Sequence, residues 1–243
     1  MKKKWSLIAA AAAALALAGC MLAGCGLNDA AKDSANSDTT KLIVGFDQSY
    51  PPYGFVGDDG NYTGFDLDLA TEVANRNGWD AKDTLLNSGA INCIWNGFTM
   101  EGREDDYTFT DPYMLNAQVV VVKSSSGIKS LDDLAGKNVI TQTDSAAQDY
   151  NTAFMQLESG AVDAVACDLS IAQYQMSAKP GVYTQLSDEL SSEHYAVGVK
   201  KGNTELAQKI TDTLKAMNED GTVKQLCEKY ADYGLSYENW ILK

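Results

Sequence analysis

The sequence has 243 residues, 45% of them hydrophobic, with 19 basic and 33 acidic residues and a formal net charge of −14 at pH 7. Such an acidic surface repels nucleic acids and anionic lipid. His194 is the single histidine, which excludes most acid–base and zinc-site designs. The length suffices for one large domain or two small ones with hydrophobic cores.

The N-terminus predicts export. A basic head, MKKKW, precedes an alanine-rich apolar run that is short for a membrane span, which is the pattern of a secretion signal. Leu-Ala-Gly-Cys occurs twice at the end of this run, and either copy fits the lipobox whose cysteine becomes lipidated. We favour Cys25, because the small and polar residues after it suit a mature N-terminus. Lipidation at Cys20, a plain signal peptide and an uncleaved helix are the alternatives.

Residues 26–40 consist mainly of Asn, Asp, Ser, Ala and Thr, a composition that buries too little apolar area to fold. We therefore predict a signal peptide at 1–25 and a flexible tether at 26–40. Beyond the tether, short apolar runs alternate with amphipathic stretches, which predicts an α/β architecture. The predicted strands are 41–46, 91–95, 118–122, 138–141, 161–167 and 195–200.

Helices are predicted between these strands. Asp66 is placed to cap the first amides of a helix that starts after Gly64. Ser130 opens a short helix with a capping-box pattern, and Gly136 closes it. Two further helices, around 206–217 and 222–230, each carry an apolar stripe near the C-terminus.

Three cysteines lie in the predicted folded body: Cys93, Cys167 and Cys227. Their odd number and irregular spacing predict neither a disulfide framework nor a metal site. The sequence also contains no recognisable nucleophile–base pair or phosphate loop. We therefore expect no cofactor and no enzymatic activity.

Two segments of the body resemble each other. Residues 88–99 read SGAINCIWNGFT, and residues 159–170 read SGAVDAVACDLS. Each predicts a helix end, a buried strand and polar residues where the strand stops. Because ligands of open α/β sheets bind beyond the carboxyl ends of strands, Asn96, Gly97 and Thr99 are predicted to face Asp168 from a second lobe. The alternative is a coincidence between two βα units.

Several motifs in order resemble the extracellular polar-amino-acid-binding proteins of ABC importers, solute-binding protein family 3. The run GFDLDLATEVANRN at 64–77 matches that family's signature at every position. Further motifs are FDQSYPPY at 46–53, WNGFT at 95–99, FTDPY at 109–113, IKSLDDLAGK at 128–137 and VDAVACD at 162–168. The resemblance covers nearly all of 41–235. It implies two α/β lobes joined by two crossings, near 116–119 and 194–196, with an amino acid bound in the cleft.

The resemblance also implies which residues bind the α-carboxylate of that amino acid. In the family, an arginine shortly after a Gly-x-Thr turn binds it with a bidentate fork, and this role carries over onto Arg103. Main-chain amides at the start of a helix in the second lobe assist the arginine. The corresponding residues here are Ser145 and Ala146.

The other ligand groups have their own expected partners. By the same resemblance, the carbonyl of Gly97, the hydroxyl of Thr99 and the carboxylate of Asp168 bind the α-ammonium. Asp47 and Tyr50 lie where members of the family contact the ligand's side chain, and Asp47 favours a polar or cationic one.

Each of these residues has a plainer explanation. Arg103 stands among acidic neighbours and fits a solvated ion-pair cluster. Asp168 could cap the helix that follows it. The aromatic residues of these motifs could belong to the core: Tyr50, Tyr53, Phe55 and Trp95.

The sequence departs from the family pattern in three places. Arg103 follows Thr99 by four residues, where the family has five. After Asn77 the family interposes an apolar strand, and after Asp149 it has the rest of a helix, a loop and a strand. We therefore expect each lobe to lack one strand of its sheet.

The expected organisation is lobe 1 at 41–118, lobe 2 at 119–194, and a return to lobe 1 with C-terminal helices at 195–243. The expected function is capture of a polar amino acid for the membrane subunits of an ABC importer. The protein would act as a monomer, anchored by lipid to the outer face of the cytoplasmic membrane. An amino-acid-sensing or degenerate lipoprotein of the same fold is the alternative, and a lyase on this scaffold is a third.

Overall fold

The structure is a computed structural model that describes residues 40–85, 90–141 and 150–243. The helices are α1 (Phe65–Asn77), α2 (Tyr150–Ser159), α3 (Leu169–Ala178), α4 (Thr204–Glu219) and α5 (Thr222–Lys229). Short 3-10 helices lie at Leu131–Leu134, Ala231–Tyr233 and Tyr237–Asn239. Within the described ranges, no helix combines the length and apolar character needed to cross a membrane.

The strands follow the alternating pattern that the sequence predicted, with several additions. They are β1 (Lys41–Phe46), β2 (Ser49–Tyr50), β3 (Gly54–Val56), β4 (Tyr62–Thr63), β5 (Asp80–Leu85), β6 (Cys93–Ile94), β7 (Tyr107–Phe109), β8 (Met114–Lys123), β9 (Val139–Thr141), β10 (Ala164–Asp168), β11 (Tyr183–Gln185), β12 (Ser191–Tyr195) and β13 (Gly198–Lys200). The prediction of 41–46 is confirmed residue for residue.

Helix α1 is bounded by two glycines. Its N-cap is Gly64, which has a φ of 149°, and its C-cap is Gly78, which has a left-handed φ of 66°. The prediction that Asp66 caps this helix is wrong, because its side chain is fully buried and bonded elsewhere. The helix predicted after Ser130 is present as a 3-10 helix, in which the Asp133 carboxylate accepts from the Ser130 amide at 3.1 Å.

The sheet of the first lobe has the strand order β5-β1-β6-β13-β7 within the described residues. Strand β1 pairs parallel with β5 and β6, while β13 pairs antiparallel with β6 and β7. A small hairpin sheet, β2-β3-β4, stands beside it.

Strand β5 corrects the expectation that the first lobe lacks a strand after Asn77. It pairs with β1 along six residues, from Lys41 opposite Asp80 to Phe46 opposite Leu85. Its sequence, DAKDTL, contains no apolar run, because β5 lies at the edge of the sheet. An edge strand is only partly covered and tolerates charged residues, so the family's strand is present here in a polar version.

The second lobe has the strand order β11-β8-β10-β9, and β12 also pairs with β8. Strand β10 pairs antiparallel with β8 and parallel with β9. Residues 142–149, which join β9 to α2, lie outside the described residues. The expected loss of a strand in this lobe therefore stays a prediction, as do the lobe boundaries.

The strand predicted at 195–200 is wrong as a single element. Strand β12 ends at Tyr195 and pairs with β8 of the second lobe, whereas β13 begins at Gly198 and pairs with β6 and β7 of the first. The apolar run YAVGV hides this change of sheet, because both halves are buried. The chain passes from one lobe to the other inside what reads as one strand.

Among the described residues, buried hydrophobic side chains form two large cores, one in each lobe, and a third, smaller cluster around Val120 and Leu186 in the second lobe. The first includes Phe46, Trp95 and Tyr113, and the second includes Val119 and Phe154. One partly buried side chain, Tyr50, packs against both cores. It therefore lies at the boundary between the lobes, where the candidate site is expected.

Candidate ligand-binding cleft

Asp168 ends β10 and accepts four side-chain hydrogen bonds in the candidate site. Only 7% of its surface is exposed. Its Oδ1 accepts from the side-chain amides of Asn116 and Gln118, both at 2.8 Å, and from the Tyr195 hydroxyl at 3.2 Å. Its Oδ2 accepts from the Tyr150 hydroxyl at 2.8 Å. Although α3 starts next to it, the Asp168 side chain makes no capping hydrogen bond, so the plainer explanation of this residue is wrong.

A second carboxylate, Glu193, lies beside Asp168. Its Oε2 accepts from Asn116 at 3.2 Å, from Gln118 at 3.4 Å and from the Thr99 hydroxyl at 3.1 Å. The same two amide groups thus lie between both acids. Their sequence signal is the polar pair at alternate positions 116 and 118 in the apolar strand β8, which places both on one face.

Gly97 forms the wall of the cleft on the side of the first lobe. It has a left-handed φ of 56°, and a Cβ there would lie 2.8 Å from Tyr50, 3.0 Å from Tyr195 and 3.2 Å from Tyr53. Only glycine fits both the backbone and the space. The three tyrosines therefore pack against bare main chain.

Asp66 supports Gly97 from behind. Its Oδ2 accepts from the Gly97 amide at 2.6 Å and from the Tyr113 hydroxyl at 2.8 Å. Its Oδ1 has no hydrogen-bond partner among the described residues. Burial raises the pKa of Asp66 to about 7, because a carboxylate charge is costly away from water.

Thr99 and Arg103 belong to a turn that lies beside Tyr195. The Arg103 guanidinium donates to the Thr99 carbonyl at 2.8 Å and lies 5.0 Å from the centre of the Phe98 ring. The main chain of Thr99 forms a bridge with Tyr195. At its four-residue spacing, Arg103 thus bonds back to the residue that opens the turn.

Three predicted site residues lie apart from this cluster or beyond the described ranges. Asp47 is exposed after β1, and its Oδ1 accepts from the Ser49 amide at 2.8 Å. Ser145 and Ala146 fall within 142–149 and so lie outside the described residues.

Most of the aromatic residues in the motifs belong to the hydrophobic core, as the plainer explanation expected. Tyr53, Phe55 and Trp95 are buried in the first core. Tyr50 differs, because its hydroxyl lies 2.8 Å from that of Tyr195, and its ring stacks on Tyr53 at 5.8 Å between centroids. Of the four, Tyr50 is the one that packs against both lobes, and its contact with a ligand stays a prediction.

The tyrosine hydroxyls around Asp168 stay protonated at neutral pH. Burial raises the pKa of Tyr50, Tyr150 and Tyr195 above the usual value, and the negative charge of Asp168 adds to the effect. Each therefore keeps an O–H donor. Sequence reasoning missed Tyr150 and Tyr195, because no motif links them to Asp168.

The tertiary structure thus brings together Tyr50, Gly97, Thr99, Arg103 and Asp168 at the junction of two α/β lobes. Buried acids and hydroxyls from both lobes converge there. This combination of two lobes and one polar cleft defines the class of two-lobed solute-binding proteins.

Comparisons with known proteins give the family. The model of bacterial extracellular solute-binding proteins, family 3, matches residues 42–233. The L-cystine-binding protein TcyJ of Escherichia coli K12 is 30% identical over 217 residues, 78% of this chain and 82% of TcyJ. The ABC transporter glutamine-binding protein GlnH of Bacillus subtilis 168 is 28% identical over 267 residues, 95% and 97% of the two chains.

A solved structure agrees with these relatives. An ABC uptake transporter substrate-binding protein from Streptococcus pneumoniae with bound histidine has a TM-score of 0.74 at 28% identity, covering 82% of this chain and 95% of its own. The chain belongs to the bacterial extracellular solute-binding proteins, family 3. Its relatives are extracytoplasmic amino-acid-binding proteins of ABC importers. The protein is therefore a binding protein and not an enzyme, which confirms the resemblance read from its motifs.

Proposed function

We propose that this protein captures a polar amino acid between its lobes and delivers it to the membrane subunits of an ABC importer. The observation that carries the proposal is the meeting of Gly97 and Thr99 from the first lobe with Asp168 from the second, around one tyrosine cluster. A site made from both lobes couples ligand binding to their closure. The importer then selects the closed, liganded form by population shift.

The two charged groups of an amino acid have complementary partners in this cleft. Asp168, the Thr99 hydroxyl and the Gly97 carbonyl bind the α-ammonium. Arg103 binds the α-carboxylate, since its bond to the Thr99 carbonyl uses one of five N–H donors. The amides of Ser145 and Ala146 assist it.

The side chain of the ligand lies against Tyr50 and reaches towards Asp47 at the exposed rim. A tyrosine face and an outer carboxylate suit a polar or cationic side chain. The relatives are named for cystine and glutamine, and the solved relative holds histidine. These three amino acids are the first candidates, together with arginine and lysine.

The anchoring part of the proposal rests on the N-terminal sequence. Lipidation of Cys25, or of Cys20, holds the protein on the outer face of the cytoplasmic membrane, and residues 26–40 tether the monomeric body. Mass spectrometry of the mature N-terminus distinguishes the two cysteines. Cys25→Ala should release the protein into the soluble fraction, and unchanged membrane association would redirect the assignment to Cys20.

The test of the binding role is a thermal-shift screen of residues 26–243 against the twenty amino acids and cystine. A ligand that binds only the folded form at a hundredfold excess over its Kd adds about 2.7 kcal/mol of stability. We expect a selective shift that Arg103→Ala and Asp168→Ala abolish. A cooperative transition that no amino acid moves would refute the transport role and favour a sensing or degenerate lipoprotein.

A further inference from the structure

We propose that Glu193 is a positioning residue that makes the cleft specific for an α-ammonium group. Its carboxylate fixes the direction of the Thr99 hydroxyl hydrogen, so that the hydroxyl oxygen faces the ligand as an acceptor. The inference rests on the proposed function, because it presumes that Thr99 and Asp168 bind an amino acid. It assigns to Glu193 an indirect effect on ligand specificity, which acts through Thr99 and its neighbours.

Both oxygens of the Glu193 carboxylate accept hydrogen bonds from described side chains. Its Oε2 accepts from the Thr99 hydroxyl at 3.1 Å, from Asn116 at 3.2 Å and from Gln118 at 3.4 Å. Its Oε1 accepts from the Ser191 hydroxyl at 3.3 Å. These donors come from the turn after β6, from β8 and from β12 itself.

The chemistry of these groups sets their direction. An ionised carboxylate only accepts hydrogen bonds, whereas a hydroxyl has one hydrogen to donate and two lone pairs. Once the hydrogen of Thr99 points at Glu193, the hydroxyl offers only lone pairs to a ligand. A glutamine at position 193 would not impose this, because its amide group also donates and would let Thr99 turn.

The amides of Asn116 and Gln118 extend the same effect to Asp168. Each donates to Asp168 at 2.8 Å while lying within reach of Glu193. Two acids thus engage the donors of this side of the cleft and add two negative charges. What faces the ligand is an acceptor-rich, negatively charged surface, which suits an ammonium with its three N–H donors.

The backbone holds Glu193 in this place. Strand β12 pairs antiparallel with β8, with Glu193 directly opposite Asn116. The next-but-one residue, Tyr195, forms a bridge with Thr99. The partners of Glu193 are therefore fixed by main-chain pairing on both sides, and the side chain is half-buried between them.

The experiment compares each amino acid with its α-hydroxy acid, which replaces the ammonium by a hydroxyl and keeps the rest. The probes are L-arginine with argininic acid, L-histidine with imidazolelactic acid, and L-glutamine with 2-hydroxyglutaramic acid. Calorimetry with residues 26–243 measures the affinity ratio within each pair. We expect the wild type to favour the amino acid by about a hundredfold or more, because the acceptors around the ammonium lose their donors.

Glu193→Gln should lower this ratio by about tenfold, which is the loss of one well-placed charged hydrogen bond. The matched control is Glu219→Gln, which removes the same charge from an exposed position at the end of α4 and should leave the ratio unchanged. A merely structural role for Glu193 would weaken both ligands of a pair equally. An unchanged ratio in Glu193→Gln therefore overturns the inference.

A second pair of variants covers the case in which Glu193→Gln does not fold. Thr99→Ser keeps the hydroxyl and should keep the ratio, whereas Thr99→Val removes it at similar volume and should lower it. Equal ratios in these two variants would contradict the inference. The proposed function fails separately: if no amino acid in the full screen binds, both fall, whereas selective binding of an amino acid with an unchanged ratio in Glu193→Gln removes only the role of Glu193.

Discussion

Two buried aspartates, one in each lobe, have opposite surroundings. Asp66 in the first lobe is fully buried, has two described donors on one oxygen, and its pKa is raised to about 7. Asp168 in the second lobe is 7% exposed and has four donors shared between its two oxygens. Both lie within reach of the same cleft, one behind Gly97 and the other in front of it.

These different surroundings suit the two aspartates to different roles. A carboxyl group with few donors in an apolar core tends to take up a proton, as the raised pKa of Asp66 shows. Asp66 therefore suits a role in holding the Gly97 turn, and Asp168 suits the binding of an ammonium.

The largest expected effect is on the pH dependence of stability through Asp66. A carboxyl whose pKa rises from 3.8 unfolded to about 7 folded is most stabilising below pH about 4, and its contribution is lost as the pH rises to about 7. The linkage amounts to something on the order of 4 kcal/mol. Urea unfolding of Asp66→Asn should lack this decline, because Asn stays neutral and can still accept from Gly97.

Asp188→Asn serves as the comparison, since Asp188 is exposed. If the wild type and Asp66→Asn lose stability in parallel between pH 4 and 7, the burial of Asp66 does not control its protonation.

A smaller effect is expected on ligand affinity from Asp168→Asn. The isosteric amide keeps the volume but removes the charge, which should weaken amino-acid binding roughly a hundredfold, about 3 kcal/mol. Calorimetry checks this with Asp132→Asn, an exposed acid of the second lobe, as the matched control. Retention of full affinity would show that the ammonium is bound elsewhere.

The supporting turn can be probed with two glycines of positive φ. Gly97→Ala and Gly102→Ala share the cost of a left-handed backbone, about 1 kcal/mol. Only at Gly97 does the added methyl meet other residues, Tyr50 and Tyr195 among them, whereas nothing lies within 4 Å at Gly102. We expect Gly97→Ala to lose about 2 kcal/mol or more in urea unfolding and to weaken binding. Similar losses of stability in both variants would mean that the tyrosine side chains shift to accommodate the added methyl group at position 97.

The smallest effect compares one hydroxyl at each aspartate. Tyr113→Phe removes one of the two described donors of Asp66, whereas Tyr150→Phe removes one of four at Asp168. The first should cost about 1 kcal/mol more in unfolding free energy at neutral pH, because the poorly solvated acid has less compensation. Equal losses would contradict the contrast between the two sites.

Much of the fold was readable from local patterns. Three features depend on neighbours in sequence and were predicted in place: the apolar run 41–46, the helix that starts after Gly64 and the helices near the C-terminus. Strand β5 was not predicted, because its sequence lacks the apolar pattern of a buried strand. It is held at the edge of the sheet by its pairing with β1. The division of 195–200 between two sheets was hidden for the opposite reason, because its continuous buried apolar run reads as one strand.

The sequence by itself determined the family, and it predicted an export signal and the residues proposed for the site, including Gly97, Thr99, Arg103 and Asp168, because these lie in short motifs. Only the tertiary structure decided what these residues contact. The Thr99 hydroxyl meets a carboxylate 94 positions away, and Asp66 was expected at a helix end but supports a turn 31 positions further on. Such partners are set by the pairing of strands and the packing of two lobes, which leave no periodic signal along the chain.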